Sequence, residues 1–486
     1  MIVQGRNRER WRSPILRREK CILFWIASLL IFLGWGLGGV TLSSQWVIFA
    51  LSTMSFTTLF LPCRALGLKR EPDCGPREHL DSLLRFPIFW LGLLFLLYIV
   101  VQGLNPAWKW VQGKAYWWLQ SVDHLEWLPA GMDTPFEDMN PFRVLIIMGS
   151  AWMMICALWV GVRHRRGLLF LFWVMCLNSA ALALVSVLLK LKNIDIPFVV
   201  GERDRDILGT FRYVNHAAAF FNLGITAALG LFFYYQQRMQ RTLSPSSPHM
   251  VFLFLALVIL TAVAFSLSAG GIVLAVTMMC FFVFVLIFLW FIRPKSRVSF
   301  VVPLLILALM SGFTWVVYRT IDIDTIEGEY HRLWYQVSKV ETDSRPVLYQ
   351  ATHQMFQDNW LWGWGAGSYQ FYFPVYQRQY PILWENRGKR LFWRHAHNDW
   401  LQYLVEYGVV GCGILLLILL YWMGNSLRLF AHLRPFQVML YFGCALTFVH
   451  AIFDFILQSP SILLTVCFLA MGGLKLQFLQ SKRVIP

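Results

Sequence analysis

The chain has 486 residues, of which 58% are hydrophobic and only 14% charged, a balance that excludes a water-soluble globular protein of this length. Its net charge of +16 comes from 42 Lys and Arg against 26 Asp and Glu, with the basic residues gathered in connections between apolar runs. This pattern indicates a polytopic membrane protein, surrounded by membrane lipids and with no nucleic-acid partner.

In chain order, apolar runs occur at 21–41, 46–62, 86–104, 143–162, 167–189, 213–235, 250–267, 272–292, 299–318, 408–424, 436–456 and 462–480. Each is close to the roughly 17–25 residues needed to cross the hydrocarbon core, so the chain is expected to be all-α with about twelve transmembrane helices. Lys and Arg near helix ends stay preferentially on the cytoplasmic side. By that rule the tail from Arg6 to Lys20, the 63–85 loop, RHRR at 163–166, Arg238 with Arg241, Arg293 to Arg297, Arg428 with Arg434, and the end with Lys482 and Arg483 lie inside. The 105–142 loop, with Asp123, Glu126, Asp133, Glu137 and Asp138, lies outside, and both termini are expected in the cytoplasm. The basic start ahead of the first run reads as an uncleaved signal anchor. Nine cysteines, mostly within the runs, predict neither a disulfide framework nor a zinc site. The expected organisation is 1–318 for the first nine spans, 319–407 for an extracytoplasmic loop, and 408–486 for the last three spans and a tail.

Outer cations run against the positive-inside trend and need a reason to be there. Between Lys190 and Arg212 the basic residues alternate with Asp195, Glu202, Asp204 and Asp206, which reads as local ion pairing. Arg212 stands apart, because GTFRYVNHAAAFFNLG carries it with Asn215 and His216 directly into the sixth span. Its two readings are snorkelling to the interface and binding of an anionic substrate. From Arg319 to Tyr407 runs the longest polar stretch, where HRLWYQVSKV and RPVLYQATHQMFQDN show helical spacing, so two or three helices are expected. NWLWGWGAGSYQFY then forms a glycine-rich turn whose aromatics suit either sugar stacking or an interfacial belt.

The stretch FWRHAHNDWLQYLVEYGVVG follows, setting Arg394, His395 and His397 where loop becomes helix. Asp399 and Gln402 have capping-box spacing, so the helix is expected to begin just after His397 with open N–H groups that attract phosphate. Asn398 and Asp399 would support the site. Glu406 reads as a stabiliser of that helix start and not a base. In VHAIFDFILQSP, His450 and Asp454 lie four apart, on one helical face, as a structural pair or a supporting proton path. The acidic run Asp322, Asp324, Glu327 and Glu329 reads as a solvated face, so no metal and no cofactor are expected.

Over about residues 200–475 the chain resembles the O-antigen ligase and polymerase superfamily of bacterial membrane glycosyltransferases. GTFRYVNHAAAFF, SLSAGG at 266–271, SRPVLYQATHQMFQDNWLWGWGAGSY and RHAHNDWLQYLVEYGVVG carry the resemblance, in that order. It implies a GT-C-like helical fold in the bacterial inner membrane. It also implies metal-independent transfer of a glycan from an undecaprenyl-diphosphate carrier to a glycan, lipid or protein acceptor at the outer face. Carried over, His397 matches the family's loop histidine and Arg212 its helix-start arginine. Arg345 is the third member, His395 an alternative base and Arg394 a further phosphate contact. The chain departs from the family at Ser268, Ala269 and Gly270, where Ser-Arg-Gly is common. A sugar diphosphate already has a good leaving group, so a base and fixed cations suffice. The alternative is a transporter of lipid-linked or other anionic substrates that binds them without chemistry. Its marks, repeated halves and paired interrupted spans, are not apparent in the sequence.

Overall fold

A computed structural model describes residues 15, 17–61, 75–114, 116–192, 194, 207–242, 247–292, 342–386 and 389–481. The expected span at 299–318, the helix in HRLWYQVSKV, the acidic run 322–329 and the 318/319 boundary lie outside these residues. So do most of the charges between Lys192 and Leu208.

Before the 105–142 segment come α1 (Arg17–Trp35), α2 (Leu42–Thr57), α3 (Pro76–Leu84) and α4 (Pro87–Leu104). Next are β1 (Pro106–Gln112), β2 (Trp117–Ser121) and β3 (Gly131–Asp133), then α5 (Pro141–Gly161), α6 (Arg165–Leu191), α7 (Val214–Thr242), α8 (His249–Phe265) and α9 (Ala269–Ile292). The later part holds α10 (Thr342–Asp358), α11 (Tyr369–Gln377), α12 (Pro381–Trp384), α13 (Asp399–Arg428), α14 (Pro435–His450) and α15 (Pro460–Ser481). Among the described residues, 7 helices are long and apolar enough to cross a membrane, and α8 and α14 are shorter apolar helices. The protein is an all-α polytopic membrane protein.

Helix α7 lies at the centre, with nearly every side chain from His216 to Phe233 buried. Its Ala217, Ala218, Ala219, Gly224, Ala227 and Gly230 leave room for neighbouring backbones, the packing that holds helices together in lipid. Gly443 of α14 would place a Cβ 2.2 Å from Thr226 Oγ1, so only glycine permits that crossing. The start of α7 thereby meets the end of α14.

At the end rich in Lys and Arg, Glu19 is buried and accepts from the amides of Arg163 (3.1 Å) and His164 (2.9 Å). A carboxylate there satisfies orphan donors ahead of α6 and complements its dipole.

Two features of the other end differ from the sequence reading. The 105–142 loop contains a sheet: β1 and β2 pair antiparallel with Trp110 opposite Leu119, and β3 joins β1 in parallel. Period-two alternation in PAWKWVQ is its sequence signal. Trp108 and Trp110 pack on Tyr372 and Phe371, so the sheet shares one hydrophobic core with α10, α11 and Ala396. That shared core makes the extramembrane segments one cap.

The second feature is the tenth expected span. It begins at Asp399 and is interrupted at Gly408, which has φ 61° and ψ −174°. The glycine-rich turn fills the gap: Val409 N donates to Trp360 O (2.9 Å), Trp364 N to Val405 O (2.8 Å) and Gly365 N to Glu406 O (3.0 Å). From α4, Gln102 Nε2 also donates to Glu406 O (3.0 Å), and Tyr98 Oη lies 2.7 Å from Tyr407 O. Backbone groups freed by a break near lipid must find partners inside the protein, and here they do. Helix α13 is thus interrupted near its start, whereas the sequence reading concerned paired interrupted spans.

Candidate active site

Three segments meet beside the cap: the start of α7, the Arg394–Asp399 stretch and the 451–459 connection between α14 and α15. Phe455 of that connection is their common contact. His395 stacks on its ring at 4.3 Å and 12°, and Tyr213 stacks on it at 5.0 Å and 17°. His397 and His216 meet it edge to face, at 4.9 and 5.1 Å. Aromatic packing thus holds the rings in fixed planes.

Asp454, buried beside Phe455, is the charge at the centre. Its Oδ1 accepts from Phe455 N (2.8 Å) and lies 3.5 Å from His397 Nδ1. Its Oδ2 accepts from Asn215 Nδ2 and, at 3.4 Å, from Tyr213 Oη. The His397 approach is long for a hydrogen bond, yet Nδ1 has no closer polar partner among the described residues. Burial pushes the Asp454 carboxyl up, but His397, His450 and His216 together outweigh it and hold the group below the usual carboxylate range. Burial drives the His395 imidazole the other way, down to about 3, with His397 and His216 adding to the effect. His395 is thus uncharged at neutral pH and a poor base. His397, with an acidic partner, is the better one.

The backbone of His397 is also distinctive, at φ 50°. Tyr349 Oη donates to His397 O (2.9 Å), Asp399 N donates to Ala451 O (2.8 Å), and Asn398 Oδ1 caps Leu401 N (3.0 Å). The N-cap is therefore Asn398, and the expected capping box at Asp399 does not form. Asp399 instead is buried and accepts from Leu457 N (2.7 Å) and Gln458 Nε2 (3.0 Å), latching the helix start to the 451–459 connection. With the amides of Asp399 and Leu401 engaged, this end is not the open phosphate site that the sequence suggested.

Each expected residue can now be placed. His395, His397 and Asp454 converge, and Asn215 and His216 join them from α7. His450 is buried at the end of α14, but Asp454 lies beyond that helix in the turn, so the two do not share a helical face. The chain turns there, Asp454 N donating to His450 O (3.1 Å), and this aims Asp454 at His397. Arg345 lies in the first turn of α10, near enough to Tyr349 to oppose the upward push of burial on its phenol. Arg394 is exposed next to His395, and Arg212 is exposed next to Tyr213. The arginines thus flank the cluster from three segments. At the turn without the family arginine, a Cβ on Gly270 would sit 3.2 Å from His450 Nε2, so His450 faces that position.

Tyr213, Tyr349 and Phe455 were not singled out from the sequence. Nothing in their spacing distinguishes them from other aromatics, because their role depends on three distant segments meeting. Among the described residues, no group of three His, Cys, Asp or Glu is arranged to hold a metal ion.

Fold and site together define a multi-pass helical membrane protein with a His–Asp pair, flanked by arginines, at one end of its bundle. Residues 254–418 match the family model described as O-antigen ligase, which supports the O-antigen ligase/polymerase superfamily and its membrane glycosyltransferase-type activity in general. The match runs from α8 into α13 and includes His395 and His397, while Arg212, His450 and Asp454 lie outside it. No curated protein matches the chain.

Proposed function

We propose that the protein transfers a glycan from an undecaprenyl-diphosphate carrier to an acceptor hydroxyl at the outer face of the bacterial inner membrane, as a ligase or polymerase, without a metal ion. The observation that carries this reading is the His397–Asp454 pair, at 3.5 Å, with Arg212, Arg345 and Arg394 on the segments around it. Asp454 favours the tautomer with the proton on Nδ1, leaving Nε2 of His397 to take the acceptor's hydroxyl proton. The acceptor oxygen then bonds to the anomeric carbon as the bond from that carbon to the diphosphate breaks. Charge developing on the departing diphosphate is met by Arg212, Arg345 and Arg394, whose planar forks match phosphate oxygens. Asn215 and Tyr213 keep Asp454 in place, and His450 lies against the turn at Gly270.

In this reading the frame has about twelve spans with a GT-C-like arrangement and both termini in the cytoplasm, consistent with Arg163, His164 and Arg434 sharing the end opposite the site. Glycan, lipid and protein hydroxyls all fit as acceptors.

Transport is the second reading, and the interrupted α13 favours it, since broken helices form substrate sites in many carriers. Here the break is filled by backbone of the glycine-rich turn, which favours transfer over carriage. Purified protein given a synthetic polyprenyl-diphosphate glycan and candidate acceptors tests the choice. Product formation supports transfer, and movement of unaltered donor across a proteoliposome membrane supports transport.

A further inference from the structure

Glu406 and Gln402 are buried beside His395, and the proposed proton transfer uses neither. Gln402 Oε1 lies 3.2 Å from Ala396 N. Because an amide N–H can only donate, that atom must be the carbonyl oxygen of the side chain. Its Nε2 therefore faces Glu406 Oε1 at 3.0 Å, and Glu406 Oε2 accepts from Gly367 N at 3.1 Å. Both carboxylate oxygens act as acceptors, and the Gln402 amide has only one orientation that satisfies its neighbours.

The same Nε2 lies 3.5 Å from His395 Nδ1. The contact is long, but an NH₂ group donates and cannot accept, so it favours a lone pair on Nδ1, and a neutral imidazole of that form carries its proton on Nε2. Stacking on Phe455 at 12° fixes the plane in which that N–H lies.

We infer that Glu406, acting through Gln402, is a positioning residue that holds His395 as the neutral Nε2–H tautomer, a fixed hydrogen-bond donor to a phosphate or sugar oxygen of the donor substrate. The identity of that substrate rests on the glycan-transfer reading; the tautomer does not. His395 then complements His397, one ring giving a hydrogen bond while the other takes a proton. The chain also ties the glycine-rich turn, through Gly367, to the reacting segment.

Nitrogen-15 NMR of the full-length protein labelled at histidine, in nanodiscs, reads the tautomer directly, with His395→Gln identifying the signal. The expected spectrum has an unprotonated Nδ1 and a protonated Nε2 for His395, with no titration between about pH 5 and 8. A protonated Nδ1, or titration in that range, overturns the inference whether or not the protein transfers glycans. Glu406→Gln must place an NH₂ against either Gly367 N–H or the Gln402 NH₂, so Gln402 is expected to turn over and shift His395 toward the Nδ1–H form. Turnover should fall roughly ten- to a hundredfold, the range for groups that orient an active residue, with little change in KM. Gln402→Met serves as the second variant should Glu406→Gln fold poorly. His395→Gln, which keeps a donor at a similar reach, should retain more activity than His395→Ala. Unchanged tautomer and turnover in both Glu406→Gln and Gln402→Met, or equal loss in His395→Gln and His395→Ala, would overturn the positioning role. A wild-type protein that transfers no glycan would overturn the function proposed above and leave the tautomer result standing.

Discussion

His397 sits at φ 50°, a left-handed conformation that side chains with a Cβ seldom adopt. It costs roughly 1–2 kcal/mol and persists where surrounding contacts impose it, often at functional sites. Here the contacts are the Tyr349 hydroxyl, the Asn398 cap and the Asp399–Ala451 hydrogen bond. Asn tolerates that conformation, so His397→Asn separates chemistry from backbone relief better than Ala alone. Both His397→Ala and His397→Asn should abolish transfer while expression and membrane insertion persist, and His395→Ala should be milder. A full-rate His397→Ala protein would refute the base. Asp454→Asn keeps much of the shape but removes the charge. Turnover should drop by roughly a hundredfold or more, the scale of general-base catalysis, with KM little altered. Because the Asp454 carboxyl is held below its ordinary range, it adds stability above its unfolded value of about 4, and that stability is lost only as pH falls through the lower folded value. The arginines give a separate test, since Lys keeps the charge and loses the fork. Arg212→Lys and Arg345→Lys should each reduce turnover; unchanged donor affinity and turnover in both would favour snorkelling or ion pairing.

At the scale of elements, the join between α13 and the glycine-rich turn depends on two residues without side chains. A Cβ on Gly408 would lie 2.3 Å from Leu361 O, and one on Gly363 would lie 2.5 Å from Gly408 N, both against backbone that cannot swing aside. Both also have positive φ, at 61° and 73°. Gly408→Ala should therefore destabilise by about 2 kcal/mol or more, read as a lower unfolding temperature in detergent and faster proteolysis within 359–368. The helix existed in the sequence as an apolar run, and its interruption was not legible. A lone glycine in an apolar helix is tolerated in many places, and only the strand of backbone lying against Gly408 makes the break favourable. Likewise Asn398 and Asp399 are both good caps. Their roles were separated by the 451–459 connection, which takes the Asp399 carboxylate for Leu457 and Gln458.

For the whole molecule, the arrangement of charge predicts a measurable topology. A cysteine introduced at Lys114, in the cap, should react with an impermeant thiol reagent added outside intact cells. One introduced at Arg428, at the opposite end, should react only after permeabilisation, and the reverse pattern would invert the proposed orientation. Since the proposed reaction assigns positive charge near the diphosphate to arginines, turnover should survive excess EDTA. Loss of turnover that magnesium or manganese restores would contradict a metal-independent mechanism.

Membrane class, most helix positions and the segment bearing His395 and His397 were legible in the sequence because each is a local property. A long apolar run has little choice but to be a helix in lipid, and a polar motif between such runs marks where the chain meets water. The acceptor of His397's second nitrogen was decided by tertiary structure, since Asp454 is 57 positions away and is aimed only by the turn after His450. The sheet of the cap, the filling of the α13 break and the chain from Gly367 to His395 were decided in the same way. Hydrogen-bond partners and ring contacts between distant segments depend on three-dimensional approach, and periodicity along the chain carries no record of it.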